Sequence, residues 1–576
     1  MRSADYIRLI DDTPGLAENE AHAGPEVRPA SVVPVSGAGR PSAIVGGAYD
    51  GASRWARELA AWNPLMRSAD LDILPQKDIA NSRARDMVRN DAFYTSGSNI
   101  HKDNIVGGMY RLNAKPEYKV LGLDETWAVE FQEEVETKFT LWAESENNWV
   151  DASRYNTFTS LLRLGVGVYL MGGEVLASVE WLRDGSRPFS TAIQMIELER
   201  LSNPPGMIDG PDLRGGVVKN MYGAPQGYWI RLAHPADFYD PDVNSFRYVK
   251  ARKPWGRLQM IHIVEQTRVD QTRGISDMVS SLKEGRTAKK FRDIVLQNAI
   301  VNATYAASIE SELPSEAAFA ALGGGNISDN VVAYTGAYLN AISAYVGDSK
   351  AMYLDGVKIP HLFPGTKLQL RPAGQGGPLG NDFENSLLRY IAANLGVSFE
   401  QLSRDYSKSN YSSIRASMTE TWKFMQGRKR MVADRMASNI YALWLEEGIN
   451  SREITSLPRR AVDLFYTGLG KEAFCGAEWI GASRGQIDEL KETQAATLRI
   501  KYNLSTYEDE QARLGKDWRK QFAQIAREKD LMKKLGIEVV DPAAQSAMNA
   551  TSGASHLPDN VNDPNSGDNT VDNQNG

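Results

Sequence analysis

Chemistry at neutral pH draws first on histidine, cysteine, paired carboxylates and glycine-rich phosphate loops. The six histidines, His22, His101, His234, His262, His361 and His556, are spaced too widely for a metal pair on one helix or hairpin. His262 stands between Ile261 and Ile263 and reads as an alternating strand residue; no partner motif supports pairing with a distant carboxylate. The one cysteine, Cys475, excludes an intramolecular disulfide or a cysteine-cluster metal site and reads as a small buried hydrophobe. Gly470-Lys471 and Gly515-Lys516 fail as Walker A loops, because Phe465 and Glu510 stand where the first glycine belongs. Gly374, Gly376, Gly377 and Gly380 read as a flexible loop, and no Gly-x-Ser-x-Gly elbow is present. Glu133-Glu134 and Glu446-Glu447 fall in helical patterns, where adjacent side chains diverge, and read as solvated surface charge. No catalytic residue, cofactor or metal is expected.

The elements around these residues describe an α+β chain. Its 576 residues exceed one ordinary core, and 42% hydrophobic with 24% charged residues fits a folded, soluble protein. The longest apolar stretch, Leu161 to Leu170, is broken by Arg163, Gly165 and Gly167, so no membrane partner is expected; Met1 to Asp12 lacks a secretory apolar stretch. Thr13 to Gly47 and the chain from Asp541 onward have the composition of disordered ends. Periodicity predicts helices over Ala52–Trp62, Ile79–Ile100 (Ile79, Met87, Val88 and Phe93 inward) and Glu125–Ser145, with Trp127, Phe131, Val135, Phe139 and Trp142 on one face. Val166–Met171 and Glu174–Trp181 flank Gly172-Gly173 as a hairpin, and Ala192–Leu198, Gly227–Leu232 and Gln259–Val264 read as further strands. Ser276 would cap a helix running to Ile309 that bends or breaks at Gly285. Strand pieces follow at Ala351–Leu354 and Thr366–Arg371, then helices at Asp382–Leu395, Tyr411–Glu447 (roughly 50 Å long), Gly485–Tyr502, Thr506–Leu514 and Lys516–Leu535.

Three segments carry a resemblance. Arg83-Ala84-Arg85-Asp86-Met87-Val88-Arg89-Asn90-Asp91, followed by Asn104-Ile105-Val106-Gly107, is similar to the R-x-R-D-L-x-R-N helix and N-x-V-G turn of lambda-type tailed-phage portal proteins. Leu388-Arg389-Tyr390-Ile391-Ala392-Ala393-Asn394-Leu395-Gly396-Val397, then Asp405 to Ser413 and Arg415-Ala416, resembles that family's L-R-x-I-A-A-x-L-G-V and D-Y-S-x-x-N-Y-S-S-x-R-A stretch. Gln271-Thr272-Arg273-Gly274 resembles its Q-x-R-G. Ser276 and Ser398 stand where the family usually has proline, and Arg404 where a small residue is common.

The resemblance implies a portal fold: a disordered arm over 1–47, an α/β wing over 48–275, a stem helix over 276–312, and a small α/β clip over 313–380. A second stem helix (381–402), a tunnel loop (403–411), a wing helix with strands (412–484), a helical crown (485–540) and a disordered tail (541–576) would follow. It implies a homo-oligomer of twelve copies, a head–tail connector at one capsid vertex of the virion, assembled in the host cytoplasm, with double-stranded DNA passing through without sequence recognition. Its partners would be the terminase large subunit, the major capsid protein with its scaffold, and a head–tail adaptor. Twelve copies at −7 each carry roughly −84, which would keep DNA centred and mobile rather than held. The loop residues Arg404, Lys408, Ser407, Ser409, Asn410 and Tyr411 would touch the phosphate backbone, while a plainer role has Asp405 and Ser407 capping the helix near Tyr411. Arg286, Lys289, Lys290 and Arg292 make a basic band, or a solvated face paired with Glu284 and Asp293. A magnesium-dependent nuclease, a terminase-like subunit and a non-portal adaptor ring are the alternatives.

Overall fold

Steps of four and three between Trp127, Phe131, Val135, Phe139 and Trp142 put large apolar side chains on one helical face, and that face is the middle of the main core. The computed structural model describes residues 50–52, 56–305, 352–354, 357–359, 381–485 and 488–537. The ends expected to be disordered, and the strand expected at Thr366–Arg371, lie outside them. Two units are distinguished, Met1–Met66 and Arg67–Gly576. In the first, Asp50–Ala52 is a 3-10 turn and residues 56–61 form turns, so the described part of the helix expected over Ala52–Trp62 is not regular helix.

In the second unit the helices are α1 (Ala69–Asn90), α2 (Ala92–Ile105), α3 (Tyr118–Leu121), α4 (Glu125–Ala143), α5 (Phe158–Gly172), α6 (Leu282–Tyr305), α7 (Asn381–Asn394) and α8 (Phe399–Ser403). They continue as α9 (Tyr411–Arg428), α10 (Arg435–Ser451), α11 (Ala461–Tyr466), α12 (Gly470–Phe474), α13 (Glu489–Lys501), α14 (Tyr507–Arg513) and α15 (Trp518–Lys534). The strands are β1 (Arg111–Ala114), β2 (Glu174–Trp181), β3 (Thr191–Met195), β4 (Leu213–Arg214), β5 (Val217–Lys219), β6 (Pro225–Arg231), β7 (Phe246–Lys250), β8 (Met260–Val264), β9 (Met352–Leu354), β10 (Val357–Ile359) and β11 (Ala477–Ile480).

Among the described residues the strands pair antiparallel, and Asp151 adds one parallel bridge to Ile193 of β3. One sheet has the order β3-β2-β8, a second β4-β5-β6-β7, and β1 pairs with β11 while β9 pairs with β10. The first sheet lies against the helical core, where Phe139 meets Phe158, Tyr441, Trp444 and Trp479 at ring separations of 5.2–6.0 Å. A smaller core joins the two sheets, with Leu198, Leu201, Val217, Tyr228 and Ile230 packed with Leu176 of β2 and Met260 of β8.

Several expectations are corrected. Val166–Met171 is not a strand: Thr157 caps α5 by accepting from the Ser160 amide, and Gly173, at φ 75°, ends the helix in the left-handed region. Gly172-Gly173 is thus a helix-to-strand corner and not a hairpin turn. The stretch Ile79–Ile100 is two helices, because Asp91 leaves helical geometry (φ −129°) and caps α2 through the amides of Phe93 and Tyr94. Ile79 is exposed. Ser276 caps a 3-10 turn over Asp277–Ser281, and the α-helix starts at Leu282. It runs unbroken through Gly285, which lies against the Tyr94 ring; Ile309 lies outside the described residues.

The helix expected over Tyr411–Glu447 continues to Ser451 but passes through a π-helical turn at Lys429–Asp434. Neither acidic pair is simply solvated. Glu446 and Glu447 are buried, Glu447 accepting from the amides of Ser190 and Thr191 at 2.6 and 2.8 Å, while Glu134 accepts from those of Thr455 and Ser456. Cys475 is partly buried against the main core.

Candidate functional site

The polar stretch between α8 and α9 is an exposed loop with a built backbone. Buried Leu402 anchors α8, and Arg404 follows at φ 59°, a left-handed conformation that turns the chain out of the helix. Ser403 Oγ donates to the Phe399 carbonyl and accepts from the Asp405 amide. Asp405 Oδ1 accepts from the Ser407 amide at 3.0 Å, and hydrogen bonds from Ser407 lower the Asp405 carboxyl below its ordinary range. The cap of α9 is Asn410, whose Oδ1 accepts from the Ser413 amide at 2.8 Å while Ser413 Oγ meets the Asn410 amide, a reciprocal capping box. Asp405 and Ser407 therefore form their own turn and do not cap the helix. Arg404, Ser407, Lys408, Asn410 and Tyr411 are exposed and Ser409 is half-buried.

The basic run on α6 splits in two. Lys289 Nζ donates to the Asn90 carbonyl at 2.8 Å, and Arg292 pairs with Asp91 at 2.7 Å and lies over the Phe93 ring. Arg286 and Lys290 are exposed and make no ion pair among the described residues. The partners are thus Asn90 and Asp91 and not Glu284 and Asp293; Arg292 also approaches Glu384 of α7 at 3.5 Å. Arg404 borders the same joint, across a shallow cleft lined by Arg89, Asn90, Asp91 and Asn99. The fold brings together Arg404, Lys289 and Arg292 around the joint of α1 and α2. It leaves Lys408 on the open loop and Arg286 and Lys290 on the outer face of α6.

A buried charge cluster that sequence reasoning missed lies where α1, β2 and β8 meet. Glu174 is fully buried and receives Arg273 (2.7 Å), Lys77 (3.1 Å), His262 (3.2 Å) and the Gly274 amide (2.8 Å). Burial alone would raise the Glu174 carboxyl, but Arg273 and Lys77 hold it well below the usual range. Arg273 also donates to the carbonyls of Leu198, Leu201 and Gly215, tying the small sheet to the main body. Gly274 packs its backbone directly on Gly173, where a side chain has no room. The Gln271–Gly274 stretch is therefore structural, and His262 does pair with a carboxylate, 88 residues away. The readable signal was the strand alternation at Ile261–Ile263, which aims His262 away from those neighbours; nothing local points to Glu174.

His101 of α2 is buried and shares a 2.8 Å hydrogen bond with the Leu395 carbonyl at the end of α7. Gly396, at φ 65°, turns the chain there against Phe424 of α9. Arg428, ending α9, pairs with Glu265 at 2.7 Å and Asp277 at 2.6 Å. Both ends of the exposed loop are thus fixed to rigid elements. The arrangement can offer exposed cations and hydroxyls to an anionic backbone; among the described residues no three His, Cys, Asp or Glu side chains gather as a metal site, and no described helix is long and apolar enough to cross a membrane.

Comparison with known proteins supplies the family. Residues 56–429 match the phage portal protein, lambda family. Portal protein B of Escherichia phage lambda is 38% identical over 483 residues, covering 84% of this chain and 89% of that protein. The portal protein of Escherichia phage N15 is 38% identical over 484 residues with the same coverage, 84% and 89%. The probable portal protein of Halomonas phage phiHAP-1 is 21% identical over 490 residues, 83% of this chain and 85% of that one. Of solved structures, a chain from the virion of a native gene transfer agent particle aligns with a TM-score of 0.33 at 10% identity, over 76% of this chain and 92% of that one. A chain from the neck of the native particle, computed with C12 symmetry, gives 0.31 at 10% identity, over 77% and 99%. The match runs through all three motifs and well over half of the sequence: the chain belongs to the lambda family of phage portal proteins.

Proposed function

We propose that twelve copies of this chain form the ring-shaped channel at one capsid vertex, through which double-stranded DNA is packaged and later ejected. The ring would dock the terminase large subunit and afterwards a head–tail adaptor, within a shell of major capsid protein assembled on its scaffold. On this reading residues 48–275 belong to the wing, α6 and α7 to the stem, 313–380 to the clip, 403–411 to the tunnel loop, 412–484 to the wing again and α13–α15 to the crown. The observation that carries it is the pair α6 and α7. Phe291 meets Phe383 at 5.5 Å while Ser280 bonds Asn394, so the helices run antiparallel and return the chain, by way of α8, to the exposed loop. That is the connection a stem leading to a tunnel constriction needs.

At the loop, Arg404 and Lys408 supply charge without a neutralising ion pair among the described residues, and Ser407 and Ser409 supply hydroxyls. Such groups touch phosphate without reading sequence. The net charge of −7 per copy opposes lasting capture, so contact is brief and DNA slides. Negative-stain microscopy with mass determination tests the ring: closed rings of about twelve subunits are expected, and a monomer across salt and concentration would overturn the reading. The loop is tested by Arg404→Ala with Lys408→Ala. Capsids are expected to hold less DNA than the parent, and unchanged filling would remove the loop from the mechanism.

A further inference from the structure

The hairpin β6–β7 carries different surfaces at its two ends. Its closing loop is the run Asp237-Phe238-Tyr239-Asp240-Pro241-Asp242. Phe238 and Tyr239 are 83% and 102% exposed and adjacent in sequence, flanked by Asp237, Asp240 and Asp242. The loop is nevertheless shaped. The Asp240 amide donates to the Asp237 carbonyl at 3.0 Å, and Asp240 Oδ1 caps the 3-10 turn Pro241–Asn244 by accepting from the Asp242 amide at 2.9 Å. Arg200 fixes its base through the carbonyls of Arg231 and Leu232. It is a rigid, acidic, aromatic knob.

The open end of the same hairpin borders a cleft of about 1070 Å³ between the small sheet, β8, β11 and the π turn. Its lining holds four cations, Arg252, Lys429, Arg430 and Arg435, against two carboxylates, Asp434 and Glu478. Both carboxylates already have lysine partners, Lys429 at 2.9 Å and Lys115 at 2.6 Å. Arg430 and Arg435 are exposed and make no ion pair among the described residues. Leu258, Met260 and Trp479 line its floor, the last two buried. The cleft offers exposed positive charge at Arg430 and Arg435, and the knob offers three carboxylates beside two exposed aromatic rings.

We infer that the Asp237–Asp242 knob of one copy seats in the Arg252/Arg430/Arg435 cleft of the next copy around the ring. Knob and cleft lie about 20 Å apart along β6, seven residues at strand rise, so no copy can satisfy itself. Two complementary surfaces at opposite ends of one element make a head-to-tail contact, the kind that closes into a ring when the rotation fits. The inference rests on the ring reading above; duplex DNA is the competing occupant of a cleft of this charge.

The test is charge reversal at each side, measured by microscopy and mass. The parent sets the reference, and a parent without rings would sink the ring reading itself. Asp237→Lys with Asp242→Lys spares the Asp240 cap; Arg430→Glu with Arg435→Glu alters exposed side chains. Each pair is expected to cut the ring population by more than about tenfold, since like charges opposed at an interface cost several kcal/mol. Combining all four changes in one chain, or mixing the two variants so that they alternate, is expected to restore rings. Rings formed normally by either variant alone, or losses that neither combination rescues, would overturn the pairing while leaving the family reading intact. Retained rings with lost plasmid binding in Arg430→Glu/Arg435→Glu would give the cleft to DNA instead.

Discussion

His101 links α2 to the turn that leads toward the exposed loop, and it does so as a neutral imidazole. Burial lowers its pKa to about 4, with the nearby Arg428 charge adding to the effect and the bond to the Leu395 carbonyl opposing it. The unfolded chain binds this proton at about 6.5, so the folded state holds fewer protons between the two values. Stability is then full above about pH 6.5, falls as pH drops toward 4, and loses about 3 kcal/mol in all. Glu174 acts in the same direction lower down: its depressed carboxyl contributes stability above the ordinary carboxylate range that is lost as pH falls through the folded value. Denaturant midpoints measured from pH 7.5 to pH 4.5 should decline, and His101→Gln should flatten that decline while Glu174 still accounts for losses below it. An unchanged slope in the variant would assign the acid sensitivity elsewhere.

Gly285 shows how an element is specified by its neighbour and not by its own propensity. Alanine there would gain about 1 kcal/mol of helix propensity, but its Cβ would lie 2.5 Å from the Tyr94 ring, whose hydroxyl is fixed to Ser281 at 2.7 Å. Overpacking of that kind costs about 1–3 kcal/mol, so Gly285→Ala is expected to destabilise, read as a lowered denaturant midpoint at unchanged m-value. The same neighbour-dependence divides what the sequence revealed from what it concealed. Strong periodicity placed α4, α7 and α13–α15 within a few residues, because a face of Trp127, Phe131, Val135 and Phe139 has one low-energy arrangement. α5 was misread because a short apolar run next to paired glycines fits either a buried strand or a helix, and only Thr157 and Ser160 marked the cap. The β1–β11 pairing joins segments more than 360 residues apart, and the Glu174 cluster joins four distant segments; neither leaves a local trace. At the loop, composition showed the exposed charge but could not choose Asn410 over Asp405 as the cap, since both side chains accept equally well.

For the assembled molecule the acidic balance sets how DNA is treated. Rings should retain linear duplex weakly. Plotting log affinity against log salt should give a slope worth only a few phosphates, at about −0.9 each. A steep slope from filter binding would mean that DNA is clasped and not passed along. Large-scale order also follows from the sheet β3-β2-β8. The chain departs from β3 on one side of β2, builds the small sheet over residues 196–259, and returns as β8 on the other side. Departure and return are two strand spacings apart, about 10 Å, and Arg273 adds a second tie through the carbonyls of Leu198, Leu201 and Gly215. A segment inserted between two strands of one sheet in this way can lengthen or shorten among related chains while β2 keeps its pairing with β3 and β8.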